Sequence, residues 1–180
     1  MIRRYKKRVK RGDRHAMYLL AGKYRDGSYQ DLRKSRELVH RAADLGHVGA
    51  IAELGSMYAL GLDGISVDET KGRDFLERAA KSGETLALVN LGALEARKGR
   101  TKLGLTYLRT AAEAGEDEAV KGLWNWFKAG ELSKDDLEKS LRAHQKANED
   151  MRSEERERHK RWKKAQEEKK KKKKKEQGNA

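Results

Sequence analysis

Alanine, leucine and aromatic residues recur at fixed distances through the first two thirds of the chain. In four stretches an alanine is followed four positions later by a leucine, and four positions later again an aromatic residue usually stands. This spacing places the three residues on one face of a helix. The alanines are Ala16, Ala50, Ala87 and Ala119, and the leucines are Leu20, Leu54, Leu91 and Leu123. The aromatic position holds Tyr24, Tyr58 and Phe127, but Glu95 interrupts it in the third copy.

A second helix is predicted after the first in each copy. It opens on an aspartate that precedes a lysine by three positions, at Asp31, Asp68 and Asp136, or on Ser133 in the fourth copy. Such side chains can cap the free amides of a helix N-terminus. A bulky residue follows at Leu38, Phe75 and Tyr107, and an alanine pair stands four positions further on. The unit is therefore helix A, a turn and helix B.

A glycine follows each alanine pair, and the glycines give the period of the repeat. Gly12, Gly46, Gly83 and Gly115 are separated by 34, 37 and 32 residues. We interpret each glycine as a helix stop in the left-handed conformation. A two-helix unit of this length predicts an all-α fold, an α-solenoid of about four helix pairs.

The second copy carries the resemblance to a known family. Leu54-Gly55-x-x-Tyr58-x-x-Gly61, followed by Asp68-x-x-Lys71-Gly72 and Ala79-Ala80-x-x-Gly83, resembles a Sel1-like repeat, a relative of the tetratricopeptide repeat. The expected repeats are about 12–45, 46–82, 83–114 and 115–147. A basic capping helix at 1–11 would precede them. A charged helical extension at 148–180 would follow and fray into a disordered lysine-rich tail.

The net charge of +14 lies at the two ends of the chain. Residues 1–11 carry +7 and residues 151–180 carry +8, so residues 12–150 have a net charge of −1. The whole-chain charge therefore says little about the predicted folded part.

The C-terminal lysine run has three interpretations. It can be a solvated tail without a partner, a nuclear-localisation or RNA-contacting segment, or an attachment to an anionic membrane surface. The run consists of Lys169, Lys170, Lys171, Lys172, Lys173, Lys174 and Lys175. Any nucleic-acid contact through these lysines would be weakly specific and strongly salt-dependent.

The composition argues against several classes of function. The chain has no cysteine, which removes disulfides, thiolate metal sites and cysteine nucleophiles. The five histidines lack metal-ligand spacing, and no glycine-rich phosphate loop is present. We therefore expect no enzyme, no cofactor and no metal. No apolar run is long enough to span a membrane. We expect a cytoplasmic protein, with nuclear import through the basic ends as the alternative.

The family resemblance implies that the helices A line a concave groove that receives a partner. The groove positions lie at fixed offsets from the recurring leucine. They are Tyr18, Arg25, Ser56, Leu60, Val89, Arg97, Lys121, Asn125 and Lys128. Because several of them are basic, we expect a protein-interaction scaffold or adaptor that binds a peptide with acidic groups. The alternative is a nuclear, RNA- or chromatin-associated factor whose basic ends bind nucleic acid.

Overall fold

The computed structural model describes the backbone of residues 2–26 and 30–178, and their side chains except at 159–160 and 165–178. This part of the chain contains nine α-helices, one 3₁₀ turn and no strand. The helices are α1 (Ile2–Val9), α2 (Arg14–Asp26), α3 (Leu32–Asp44), α4 (Val48–Leu60), α5 (Glu69–Lys81), α6 (Thr85–Arg97), α7 (Thr101–Glu113), α8 (Asp117–Lys128) and α9 (Lys134–Gly178). The 3₁₀ turn, Leu62–Gly64, lies between α4 and α5.

The helices stack as consecutive pairs, which confirms the predicted α-solenoid. Each helix packs against the next one along the chain, and α6 also contacts α4 and α8. Helices α2, α4, α6 and α8 are the helices A, and α3, α5, α7 and the first part of α9 are the helices B. At the N-terminus, Ile2, Tyr5 and Val9 of α1 pack against the core, as expected of a cap. The assigned repeat and domain boundaries stay a prediction.

The glycine stops adopt the predicted conformation. Gly12, Gly46, Gly83 and Gly115 have φ angles of +80°, +75°, +88° and +86°. The amide of Gly83 donates to the carbonyl of Ala80, and the amide of Glu84 donates to the carbonyl of Ala79. The last carbonyls of helix B are thus satisfied by the turn that follows it, as in a Schellman motif.

The predicted aspartate caps form at two of three positions. Asp31 accepts from the amide of Lys34, and Asp68 accepts from the amide of Lys71, each at 3.0 Å. In the fourth copy the cap is Ser133, whose hydroxyl oxygen accepts from the amide of Asp136 at 3.1 Å. Asp136 is therefore inside the first turn of α9, because that helix begins three residues earlier than an Asp136 cap would require.

Helices A and B approach each other closely at glycine residues. A Cβ atom added to Gly55 would lie 2.6 Å from Leu76 Cγ, and one added to Gly72 would lie 2.5 Å from the backbone nitrogen of Ala59. The third pair repeats the arrangement, with Gly92 O 2.8 Å from a Cβ added to Gly104. These contacts bring the two backbones together in the second and third repeats.

The bulky anchors of helix B differ from the prediction in two copies. Leu76 and Leu108 are buried, whereas Phe75 and Tyr107 are only partly buried. The buried stripe of α5 contains Gly72, Leu76 and Ala79, which share one helical face. Phe75 lies beside that stripe and stacks on Tyr58 with ring centroids 5.8 Å apart.

The lysine tail is also different from the prediction. The backbone of α9 remains helical to Gly178 rather than fraying into a disordered tail. The sequence between Gly130 and Gly178 contains neither glycine nor proline and is rich in lysine, glutamate and arginine, which favour helix. The side chains of Lys169–Lys175 lie outside those described. No helix in the described ranges is both long and apolar enough to cross a membrane.

Glu95, which interrupts the aromatic pattern, is fully buried and bound to two arginines. Its carboxylate accepts from Arg73 of α5 and from Arg100, which immediately precedes α7. The hydrogen bond from Arg100, helped by Arg73, lowers the pKa of Glu95 against the opposing effect of burial. This cluster ties three consecutive helices together in place of an aromatic contact.

Replacing Glu95 by alanine should lower the free energy of unfolding by about 2 kcal/mol, because Arg100 loses its carboxylate partner and the partly buried Arg73 is left with Glu77. Urea unfolding at pH 7 measures this difference. The difference should shrink below pH 4.5, because wild-type protein loses the contribution of a lowered carboxyl pKa as pH falls. The exposed Glu113→Ala serves as control and should change stability by less than about 0.5 kcal/mol. Equal effects of the two substitutions would contradict the prediction.

Candidate interaction groove

Helices α2, α4 and α6 line an open cleft with a volume of about 400 Å³. We call it the α2–α4–α6 cleft, although the 3₁₀ turn contributes part of one wall. Its lining consists of Tyr18, Arg25, Gly49, Ala52, Glu53, Ser56, Met57, Leu62, Asp63, Glu84, Leu86 and Asn90. Three consecutive repeats thus contribute to one surface.

Two further hollows adjoin this cleft and share residues with it. One, of about 290 Å³, lies along α2 and includes Tyr18, Lys23 and Glu53. A smaller one, of about 40 Å³, lies between α4 and α6 and includes Ser56 and Asn90. The side of these repeats that the helices A form therefore carries a series of depressions with shared lining residues.

The structure brings together five of the nine predicted groove residues. Tyr18, Arg25 and Ser56 line the α2–α4–α6 cleft, and Leu60 and Arg97 line the small hollow beside Ser56.

The other four lie elsewhere. Val89 is partly buried against the second core cluster. Lys121, Asn125 and Lys128 are exposed on α8 and line none of these three hollows. A binding role for any of the nine stays a prediction.

Several lining residues were missed by the sequence analysis. Glu53 and Asn90 each stand one position before the recurring leucine, so that offset would have found them. Leu86 lies in the first turn of α6, while Asp63 and Glu84 lie in connections between helices. A helical periodicity carries no signal for residues in connections, since their placement depends on the path of the chain.

Arg25 and Glu53 form an ion pair across the cleft. Arg25 Nη1 donates to Glu53 Oε1, and Arg25 Nε donates to Asp26 Oδ1 at 3.2 Å. The Glu53 side chain is 14% exposed. Its burial raises the pKa of this carboxyl, with Arg25 opposing the effect. Burial and the nearby charge of Glu53 raise the pKa of Tyr18.

The other polar groups of the surface are ordered by neighbours. Asn90 Nδ2 donates to Ser56 Oγ at 2.8 Å, and Ser56 Oγ donates to the carbonyl of Ala52 at 3.2 Å. Arg97 lies 3.6 Å from Glu69, and Lys121 Nζ lies 2.7 Å from Glu118. Arg25, Arg97 and Lys121, predicted to receive an acidic partner, are therefore already paired with carboxylates.

A histidine cap lies at the edge of the cleft. His47 Nδ1 accepts from the amide of Ala50 at the start of α4, and His47 Nε2 lies 3.2 Å from His15 Nδ1. The His47 ring stacks on Tyr18 with centroids 4.5 Å apart. Burial, followed by the charges of His15 and Arg14, lowers the pKa of His47. An accepting Nδ1 requires the neutral ring, and the positive end of the helix dipole favours the same form.

The stability of the protein should fall as pH decreases below about 6.5, because the unfolded chain then binds a proton that folded His47 resists. His47→Ser keeps a capping oxygen at every pH. We therefore expect a smaller drop in melting temperature from pH 7.5 to pH 5.5 in His47→Ser than in wild type. His40, whose pKa is also lowered by burial, is present in both proteins and cancels in the comparison. The same drop in both proteins would contradict this role of His47.

The described residues contain no group of three or more histidine, aspartate or glutamate side chains placed to hold a metal ion. Their titratable groups instead form caps and ion pairs, as at Asp68, Glu95 and His47.

The stacked helix pairs define the class of the molecule as an α-helical repeat protein. A family-wide sequence profile described as Sel1 repeat matches residues 14–47 and 48–84. A solved Sel1 repeat protein from Oxalobacter formigenes is 32% identical, with a TM-score of 0.55, and the alignment covers 68% of this chain and 96% of that one. The chain belongs to the Sel1 repeat family.

Two other solved structures resemble the chain over part of their length. A protective antigen of uropathogenic Escherichia coli with an SLR fold is 23% identical, with a TM-score of 0.64 over 83% of this chain. An immunity protein from Pseudomonas aeruginosa is 28% identical, with a TM-score of 0.56 over 79% of this chain. This chain spans 33% of the antigen and 54% of the immunity protein. A comparison with curated proteins found no match.

Folds of this family commonly mediate protein–protein interaction, and its members are generally non-catalytic scaffolds.

Proposed function

We propose that this chain is a non-catalytic interaction module, a scaffold or adaptor, that holds a peptide segment of a partner protein in the α2–α4–α6 cleft. The observation that carries this proposal is the cleft itself, which three consecutive helices A line and which opens to solvent. Its volume of about 400 Å³ is enough for a few side chains of a partner.

The chemistry of the lining suits a peptide. Leu62 and Leu86 are each 43% exposed, and because both line the same cleft they leave apolar surface there for a partner to cover. In the same lining, the Ser56–Asn90 pair offers hydrogen-bonding groups that are already oriented. An apolar surface with a few fixed polar groups is the common composition of binding clefts.

The walls of the cleft are held in place before any partner arrives. Gly55 and Gly72 bring α4 and α5 into backbone contact, and the Glu95 cluster holds α6 against its neighbours. A preformed surface loses little conformational entropy on binding, so more of the contact energy remains as affinity.

The family supports an interaction role without naming a partner. The relatives with solved structures are described in unlike terms, as a protective antigen and as an immunity protein. The fold therefore supports binding of protein, and the choice of partner must come from the residues of each cleft. The alternative of nucleic-acid binding by the basic ends is not favoured by any contact in the described part of the chain, and neither end is needed for the cleft.

Leu86→Arg should remove the partners that the full chain captures from its own cells, because a long charged side chain would fill the apolar part of the cleft. Affinity purification with quantitative mass spectrometry measures the loss. The matched control is Leu103→Arg on α7, since Leu103 is 38% exposed and lines none of the three hollows. Wild type and Leu103→Arg should capture the same partners in similar amounts. The amount of each of these partners should be at least tenfold lower with Leu86→Arg.

Circular dichroism melting curves check that both variants remain folded. Partners that are kept by Leu86→Arg and lost by Leu103→Arg would place binding on the helix B face and contradict the proposed cleft.

A further inference from the structure

We propose that the α2–α4–α6 cleft selects partner segments that present a lysine or arginine side chain beside an apolar one. This inference rests on the proposed function and deepens it by naming the chemistry of the occupant. It reverses the expectation of an acidic peptide, which was drawn from basic positions on the helices A.

The charged groups that line the cleft are mainly acidic. Arg25 is the one cation among its described lining residues, and Glu53, Asp63 and Glu84 are carboxylates. With all of them ionised, the lining has a net charge of −2. None of the three carboxylates stands at a groove position that the periodicity of the sequence predicts, so this negative charge could not be expected from the sequence.

Arg25 is not available to an incoming anion. Its guanidinium is bound to both Glu53 and Asp26. An acidic partner would have to break these ion pairs and would then face the remaining carboxylates. A cationic partner needs no such rearrangement.

Two carboxylates stand on different walls and are free to receive a cation. Asp63 belongs to the 3₁₀ turn after α4, and Glu84 precedes α6 without making a capping hydrogen bond. No ion pair joins either side chain to another of the residues that the structure describes. Burial is the main cause of the raised pKa values of Glu53 and Tyr18, and the charges of Asp63 and Glu84, respectively, add to them.

Glu53 is the third carboxylate of the lining, and little solvent reaches it. Burial penalises the ionised form of its carboxyl, and Arg25 compensates only in part, because the pKa of Glu53 remains raised. A second cation close to Glu53 would stabilise the carboxylate further, and the low exposure of this side chain weakens screening by salt.

The exposed leucines of the cleft provide the surface for the apolar side chain of the partner. Leu62 is adjacent in sequence to Asp63, and Leu86 follows Glu84 by two positions. The wall formed by the 3₁₀ turn and the wall formed by the start of α6 thus each contribute a carboxylate and a leucine to the lining. A lysine or arginine can lay its aliphatic stem on such a leucine while its charged end meets the carboxylate.

The positive charge of the chain does not oppose this choice. It belongs to residues 1–11 and 151–180, while residues 12–150, which contain the cleft, have a net charge of −1.

Selection from a random phage-displayed dodecapeptide library tests the inference directly. The full-length chain is the bait at 0.15 M salt. Peptides that also bind the Leu86→Arg variant are removed, so that those kept depend on Leu86. We expect the peptides that depend on Leu86 to be enriched in lysine or arginine next to an apolar residue. Leu86-dependent peptides without basic enrichment would overturn this inference and leave the proposed function standing. Failure to obtain any Leu86-dependent peptide would overturn both.

A charge-matched pair of variants then measures the contribution of the carboxylates. Asp63→Asn with Glu84→Gln should weaken binding of a selected, fluorescein-labelled peptide about fivefold in fluorescence anisotropy. Asparagine tolerates the left-handed backbone of Asp63, whose φ is +53°, so the turn should keep its shape. The control is Glu113→Gln with Asp135→Asn, which removes the same two charges from exposed positions that line none of the three hollows. Equal affinity of the two double variants would contradict the inference.

Discussion

The close contact between helices A and B, made by residues without side chains, determines the shape of this molecule. Gly55 against Leu76, Gly72 against Ala59 and Gly104 against Gly92 allow backbones to meet where a single methyl group would collide. The helices B thus pack closely against the face of α4 and α6 that carries Gly55 and Gly92. The cleft is lined by other positions of the same two helices, such as Glu53 and Asn90.

The fourth repeat shows what happens when this constraint is absent. Trp124 occupies the position of Gly55 and Gly92, and it is 41% exposed rather than packed beneath a helix B. Helix α9, which has 45 residues, packs on both α7 and α8, with Leu137 in the second core cluster. Among the residues that the structure describes, the close glycine contact between helices A and B of the second and third pairs is thus missing between α8 and α9.

Periodicity in the sequence was sufficient for the fold and for part of the cleft. The recurring glycines, the caps at Asp31 and Asp68 and the placement of Tyr18 on the helix A face depend on local geometry, which spacing reveals. Contacts between separate elements were not predictable in this way. Glu95 looked like an interruption because its arginines come from α5 and from the start of α7. The charge of the cleft was missed since Asp63 and Glu84 lie outside helices.

The central claim, that binding occurs on the helix A face, can be tested by hydrogen exchange of the full chain with and without a bound, phage-selected peptide. The account predicts slower amide exchange in α2 between Tyr18 and Arg25, in α4, and at the start of α6, where the lining residues lie. Exchange in α5 and α7 should change little. Slower exchange confined to α9 or to the helices B would contradict the account.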